Sequence, residues 1–205
     1  MTQTLTSPNV TRGYGFLEKF LAEQRCRKAN QLIPSSARSG RILDVGCGSY
    51  PLFLLNTSFS KKYALDKMIS ANQKQTAEQG IIFAHCDFEL QESLPFEDNF
   101  FDVVTMLAVF EHIKPEILGR LLKNIKRVLK PNGLYIMTTP AAWGDSLLQV
   151  MAKTKLVSPV EIDEHQDTYT HEKISSILQN AGFAPENIQL GYFEAFLNIW
   201  GVAKK

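Results

Sequence analysis

Residues 42–50 read Ile-Leu-Asp-Val-Gly-Cys-Gly-Ser-Tyr, an apolar run that carries one acid and then two glycines separated by a single residue. Such a run predicts a buried strand that empties into a ligand-binding turn. Glycine has no Cβ, so Gly46 and Gly48 can take positive φ and let main-chain N–H groups come close to a bound molecule. Pro51 suits the first turn of a following helix, where its missing N–H costs nothing. A dinucleotide fingerprint G-x-G-x-x-G needs a third glycine at position 51, where this chain has proline. That weakens a nicotinamide reading, and the absence of any G-x-x-x-x-G-K-[ST] run disfavours nucleoside triphosphate hydrolysis.

Composition narrows the classes further. With 205 residues and 44% hydrophobic content, the chain suits one domain with an ordinary core. A formal net charge of +1 gives no general attraction for polyanions, and no nucleic acid partner is expected. Arg25, Arg27 and Lys28, and later Lys123, Lys126, Arg127 and Lys130, form two basic clusters that read as solvated helix faces. Cys26, Cys47 and Cys86 are widely spaced with no C-x-x-C, which fits a reducing compartment. The first fifteen residues hold no apolar signal-like stretch, and no uninterrupted apolar run reaches membrane-spanning length. The expectation is a cytoplasmic protein without a membrane span.

Along the chain, strand-like and helix-like segments alternate. Phe16, Leu17, Phe20, Leu21 and Ala29 recur near helical spacing between Gly15 and Ile33, ahead of the first strand. Tyr63 to Asp66, Ile81 to Ala84, Phe101 to Met106 and Leu134 to Thr138 predict further strands. Polar residues from Ile69 to Gln79 predict one intervening helix. Pro115 to Leu129, with a full apolar side, predicts another, stopped by Pro131-Asn132-Gly133. The alternation implies a doubly wound α/β fold, a mostly parallel sheet with helices on both faces. Segments 188–190 and 196–202 offer two more strands.

The order acid-x-Gly-x-Gly after a hydrophobic strand resembles motif I of the class I S-adenosylmethionine-dependent methyltransferases, of the small-molecule kind. That family's third motif glycine is Tyr50 here. Leu94 to Ile113 is similar to its fourth-strand region, and Val128 to Pro140 to its fifth. The resemblance implies a Rossmann-like, seven-stranded sheet that ends in an antiparallel C-terminal hairpin. It also implies a single domain: an N-terminal arm and helix over 1–40, a cofactor-binding core over 41–140, a substrate-covering insertion over 141–170, and a C-terminal helix and strands over 171–205.

The same resemblance assigns a cofactor, S-adenosylmethionine with S-adenosylhomocysteine as product, and a set of residues around it. Asp44, Gly46, Cys47 and Gly48 form the turn. Asp66, eighteen residues beyond Gly48, is placed to accept hydrogen bonds from the ribose hydroxyls, with Lys67 beside it. An acid after the third strand meets the adenine amino group in this family, and Asp87 and Phe88 match that acid and its apolar neighbour. Leu107 and Ala108 lie beside the methionine part, and Arg12 and Tyr14 in the N-terminal arm can reach its carboxylate or close over it. The [DNS]-P-P-[YFW] motif of enzymes that methylate exocyclic amines of bases is replaced by Leu107-Ala108-Val109-Phe110.

Catalysis is less sharply written. His112 is a candidate general base, because an imidazole takes protons near neutral pH, or equally a packing residue at the start of a helix. The segment from Ala141 to Lys173 is the least generic stretch, and His165 and Tyr169 are its candidates for touching substrate. His165 and His171 with Asp163 or Asp167 lack the spacing of a metal site, so no metal is expected, and Thr170 reads as a helix cap. The expected reaction is methyl transfer to O or N of a small metabolite, including a glycan- or lipid-linked one. A noncatalytic cofactor-binding scaffold and a nicotinamide-dependent oxidoreductase are the rival readings.

Overall fold

The computed structural model describes residues 16–67, 79–142 and 169–205. The helix expected over Ile69 to Gln79, apart from Gln79 itself, the arm with Arg12 and Tyr14, and the segment 143–168 lie outside these residues. Seven strands form one sheet: β1 (Arg41–Val45), β2 (Lys61–Asp66), β3 (Ile81–His85), β4 (Phe101–Leu107), β5 (Leu129–Pro140), β6 (Ile188–Phe193) and β7 (Asn198–Lys204). Their order is β3-β2-β1-β4-β5-β7-β6. The first five are parallel, and β7 runs antiparallel to both β5 and β6. The antiparallel C-terminal pair is therefore as expected.

The pleat explains why the strands read as almost continuous apolar runs. Adjacent residues point to opposite faces, and both faces are covered. Ile42, Ala64, Val103 and Ile136 pack with Cys26 and Ala29 of α1 (Phe16–Leu32), with Ile33 just beyond it, and with Phe53 and Leu54 of α2 (Leu52–Leu55). Their neighbours Leu43, Leu65, Val104 and Met137 face the other way. There they meet Leu118, Leu121, Leu122, Ile125 and Val128 of α3 (Pro115–Val128), and Ile174 and Leu178 of α4 (His171–Asn180).

Three boundaries differ in detail from the sequence reading. Pro51 precedes the four-residue α2 as its N-cap instead of sitting within its first turn. Helix α3 stops at Val128, before Pro131-Asn132-Gly133, because fully buried Leu129 is already extended and pairs with Phe101. Pairing resumes at Val103↔Leu134, so the Pro-Asn-Gly stretch is accommodated inside the strand's irregular start. Thr170 caps α4 as expected, accepting a hydrogen bond from the Lys173 N–H at 3.3 Å.

Candidate active site

In an open parallel sheet, ligands bind beyond the carboxyl ends of the strands where the winding direction changes. Here that point lies between β1 and β4, with β2 following β1 on the other side. The turn after β1 is pulled back over the end of β2: the N–H groups of Gly46 and Cys47 both donate to the Leu65 carbonyl, at 2.8 and 3.3 Å. Gly46 and Gly48 have φ of +75° and +68°, in the region that favours glycine. A Cβ at Gly46 would come within 2.6 Å of the Val109 side chain. The second requirement, a close approach, is therefore made by the turn that follows β4.

Asp66 closes the turn from the far side. Its carboxylate accepts from the Gly48 N–H at 2.8 Å, and the residue is only 8% exposed. Asp44 lies deeper, 5% exposed, and accepts a 2.7 Å hydrogen bond from the Thr105 hydroxyl on β4. Burial pushes its carboxyl up to about 7; the Thr105 hydrogen bond opposes the shift and the neighbouring Asp66 charge adds to it. Cys47 is buried, and burial together with Asp44 and Asp66 keeps its thiol protonated. Its part in the turn is main-chain geometry.

The other expected residues line the same edge. Asp87 follows β3, and its carboxylate accepts from the Glu89 N–H at 2.9 Å while Phe88 packs against the core. Lys67 is exposed, with its carbonyl 2.9 Å from the His85 ring nitrogen Nε2. After β4, Ala108 takes φ +53°, a left-handed conformation uncommon for a residue with a Cβ, and its N–H donates to the Thr138 carbonyl at 3.0 Å. In strand order the edge reads Asp87, Asp66, the glycine turn, then Leu107 and Ala108. Three strand spacings of about 4.8 Å separate β3 from β4, which suits an extended adenosyl amino acid.

His112 ends a short 3₁₀ turn, Phe110–His112, directly beyond Val109; its N–H donates to the Val109 carbonyl, and the residue is half-buried. Its neighbour Glu111 is 2% exposed and accepts from the Thr139 hydroxyl at 3.1 Å. Tyr169, expected to touch substrate, is 1% exposed, with its ring edge-on to Phe110 at 4.8 Å and its hydroxyl 3.5 Å from the Phe110 carbonyl. Burial makes it a packing position under the 110–112 turn. Its carbonyl accepts from the Ala142 N–H, so the two ends of the insertion meet there. His165, Arg12 and Tyr14 lie outside the described residues.

Thr105, Val109, Glu111 and Thr139 escaped the sequence reading as site-building residues. Thr105 pairs with Asp44 through strand register and Thr139 with Glu111 across 28 residues, so no local signal marks them. Val109 sat in a recognised stretch but had no visible partner until Gly46 was placed against it. Among the described residues, no group of three or more His, Cys, Asp or Glu is placed to hold a metal, and no helix is long and apolar enough to cross a membrane.

The profile of the methyltransferase-domain family matches residues 17–188, which takes in the glycine turn, Asp66, Asp87 and the 107–112 turn. The chain belongs to that family. Solved structures that share this fold include S-adenosylmethionine-dependent methyltransferases from Mesorhizobium loti and Archaeoglobus fulgidus. A tRNA N(3)-cytidine methyltransferase from Gallus gallus is 28% identical, over 60% of this chain and 36% of that protein. The chain thus spans about a third of the length of this curated relative. A possible histamine N-methyltransferase from Thermotoga maritima superimposes with a TM-score of 0.67 at 19% identity, over 91% of this chain and 90% of that one. The 1,6-didemethyltoxoflavin-N1-methyltransferase from Burkholderia thailandensis, solved with its acceptor and S-adenosylhomocysteine, superimposes with a TM-score of 0.66 at 17% identity, over 91% and 80%. At these identities the two structures establish the shared fold.

Proposed function

We propose that this methyltransferase-family chain moves a methyl group from S-adenosylmethionine to an oxygen or nitrogen of a small metabolite, a glycan- or lipid-linked one included. The observation that carries this reading is the row of Asp87, Asp66, the Gly46–Gly48 turn and Ala108 along consecutive strand ends at the switch point of the sheet. The donor set fits: a nearly buried carboxylate for a ribose diol, a second acid for an exocyclic amine, and a glycine-built turn for close main-chain approach. In this reading Asp66 receives the ribose hydroxyls, Asp87 and Phe88 take the adenine, and Asp44 braces the turn through Thr105. Leu107 and Ala108 offer main-chain groups to the amino-acid tail, with Arg12 and Tyr14 over it.

When bound, the sulfonium supplies a methyl group whose departure leaves a neutral thioether. The protein then has to hold a nucleophile in line and keep water out, and such positioning is worth up to roughly 7–11 kcal/mol in well-oriented systems. His112 stands at the acceptor side of the 110–112 turn, where it takes a proton from a hydroxyl or orients an amine. In the same reading His165 is a further residue that touches substrate. Three free cysteines, all buried, agree with a reducing cytoplasm.

Calorimetric titration with S-adenosylhomocysteine and with NAD(H) tests the cofactor, and binding of only the latter defeats the proposal. Incubation of a metabolite extract with methyl-labelled cofactor, followed by mass spectrometry, identifies the acceptor. Failure to form S-adenosylhomocysteine with any fraction favours the scaffold reading. The Gallus gallus relative supports a second acceptor class, RNA. The replaced [DNS]-P-P-[YFW] motif bears on exocyclic amines and leaves ring nitrogens open, so an RNA fraction belongs in the same incubation. The second basic cluster gives RNA little purchase: Arg127 pairs with Asp98, Lys130 with Asp102, and Lys126 donates to the Gly182 carbonyl.

A further inference from the structure

The connection between β3 and β4 carries the proposed adenine site at its start, and it runs from Cys86 to Phe100 without a helix or strand. Connections of this length that lack regular structure need another source of order. Cys86 and Phe88 anchor its start in the core and the Leu90 and Gln91 N–H groups donate to the Asp87 carbonyl, but residues 89–93 are all exposed, Leu90 by 82%. Side chains of α3 supply the rest. Arg120 donates to the Phe88 carbonyl at 2.9 Å and to the Glu89 carbonyl at 3.4 Å. Asn124 donates to the Glu92 carbonyl at 2.9 Å and accepts from the Leu94 N–H at 3.3 Å. Arg127 donates to the Leu94 and Phe96 carbonyls at 3.0 and 2.8 Å and pairs with Asp98.

These three residues stand at i, i+4 and i+7, one stripe of the helix, apart from the Leu118, Leu121, Leu122, Ile125 and Val128 stripe that enters the core. The helix therefore uses one side to join the core and another to hold successive carbonyls of the connection. Arg127 and Asn124 grip its far half. Arg120 alone in the stripe grips the two peptides that follow Asp87 and Phe88. Both bonds leave one guanidinium nitrogen, Nη2, whose two N–H groups lie in a fixed plane, whereas the ammonium of lysine ends a freely rotating and shorter stem.

We infer that Arg120 is a positioning residue for cofactor recognition: by fixing the Phe88 and Glu89 peptides, it aims the Asp87 carboxylate at the base and sets selectivity for a nucleoside with a 6-amino group. The inference rests on the proposed adenine site. Its test is calorimetric titration with two ligands, S-adenosylhomocysteine and S-inosylhomocysteine, which differ at the base in 6-amino versus 6-oxo and in the N1 proton that accompanies the oxo group. Wild-type protein binds the adenosyl ligand more tightly. Arg120→Ala weakens that ligand by about tenfold, the scale of one charge-assisted hydrogen bond, and leaves the inosyl ligand almost unchanged, so the preference collapses. Arg120→Lys, which keeps the charge and loses the planar, longer-reaching head group, falls between the two. It also carries the measurement should the alanine variant fold poorly.

A general loosening of the fold weakens both ligands together. That outcome, or an unchanged preference in both Arg120 variants, overturns the inference. Asp87→Ala separates this failure from failure of the underlying reading. If Asp87→Ala abolishes the preference and the Arg120 variants do not, only the clasp is wrong. If Asp87→Ala leaves the preference intact, the adenine site is misplaced and the inference falls with it.

Discussion

The two ends of the candidate site are built by different means. At the β1–β2 end, the turn is made by residues adjacent in the chain, Gly46 to Gly48, held by main-chain bonds to Leu65 and one carboxylate, Asp66. At the β4–β5 end, the surface is made by pairs far apart in the chain: Glu111 with Thr139, Phe110 with Tyr169, Ala142 with Tyr169. The first end presents a backbone shape that any chain must form in nearly the same way to admit the same nucleoside. The second is braced by buried side-chain pairs that the nucleoside does not dictate. In the proposed reading, cofactor recognition rests on conformation, and acceptor recognition on packing.

The sharpest way to break this contrast is at the point where the two ends touch. A side chain at Gly46 meets Val109 and must also tolerate φ +75°, so Gly46→Val is expected to weaken S-adenosylhomocysteine binding by about a hundredfold or more, the scale of 3 kcal/mol. Adding Val109→Ala to Gly46→Ala removes the clash and keeps the strained φ, so only part of the loss returns. Full recovery would show that the turn's conformation is not what the ligand needs. Asp66→Ala comes next. Losing a hydrogen-bonding carboxylate from the proposed ribose site costs roughly 1.5–3 kcal/mol, about ten- to a hundredfold in affinity. A folded Asp66→Ala protein with unchanged affinity removes Asp66 from the site.

The same contrast explains what could be read from sequence alone. The glycine turn and Asp66 follow from local spacing, since strand, turn and acid succeed one another within 25 residues from Ile42 to Asp66, and the alternation of strands and helices implies the parallel sheet. The antiparallel direction of β7 did not follow from periodicity and came from family resemblance. Thr105 was illegible because its value lies in standing opposite Asp44, which only register decides. The burial of Tyr169 was illegible for a related reason. A tyrosine in a polar stretch reads as open to substrate, and only its packing against Phe110 shows the ring to be buried.

Glu111 tests whether the two ends are energetically separate. Glu111→Ala leaves the buried Thr139 hydroxyl without its acceptor and should cost about 1–3 kcal/mol in chemical denaturation. S-adenosylhomocysteine affinity should be unchanged, because nothing in the β1–β2 turn rests on that pair. A variant with full stability and weakened cofactor binding would mean that the ends act as one unit and that the contrast is false.

The smallest expected effect concerns Asp44, the acid that lies between the ends. Its carboxyl is raised from an ordinary value near 3.8 to about 7 by burial, so the folded protein holds this proton more tightly than the unfolded chain does. The sign follows directly. Stability from this group is fully present below the unfolded value, falls as pH rises through the folded one, and levels off above it. Between pH 6 and pH 8 the loss amounts to about 1 kcal/mol. Asn at this position keeps an oxygen for the Thr105 hydroxyl and cannot ionise. Asp44→Asn should therefore remove that share of the slope, read as the difference between the two proteins' urea midpoints at the two pH values, so that titrating histidines common to both cancel. Equal slopes would place the Asp44 proton elsewhere, with the turn braced by a carboxylate that stays ionised throughout.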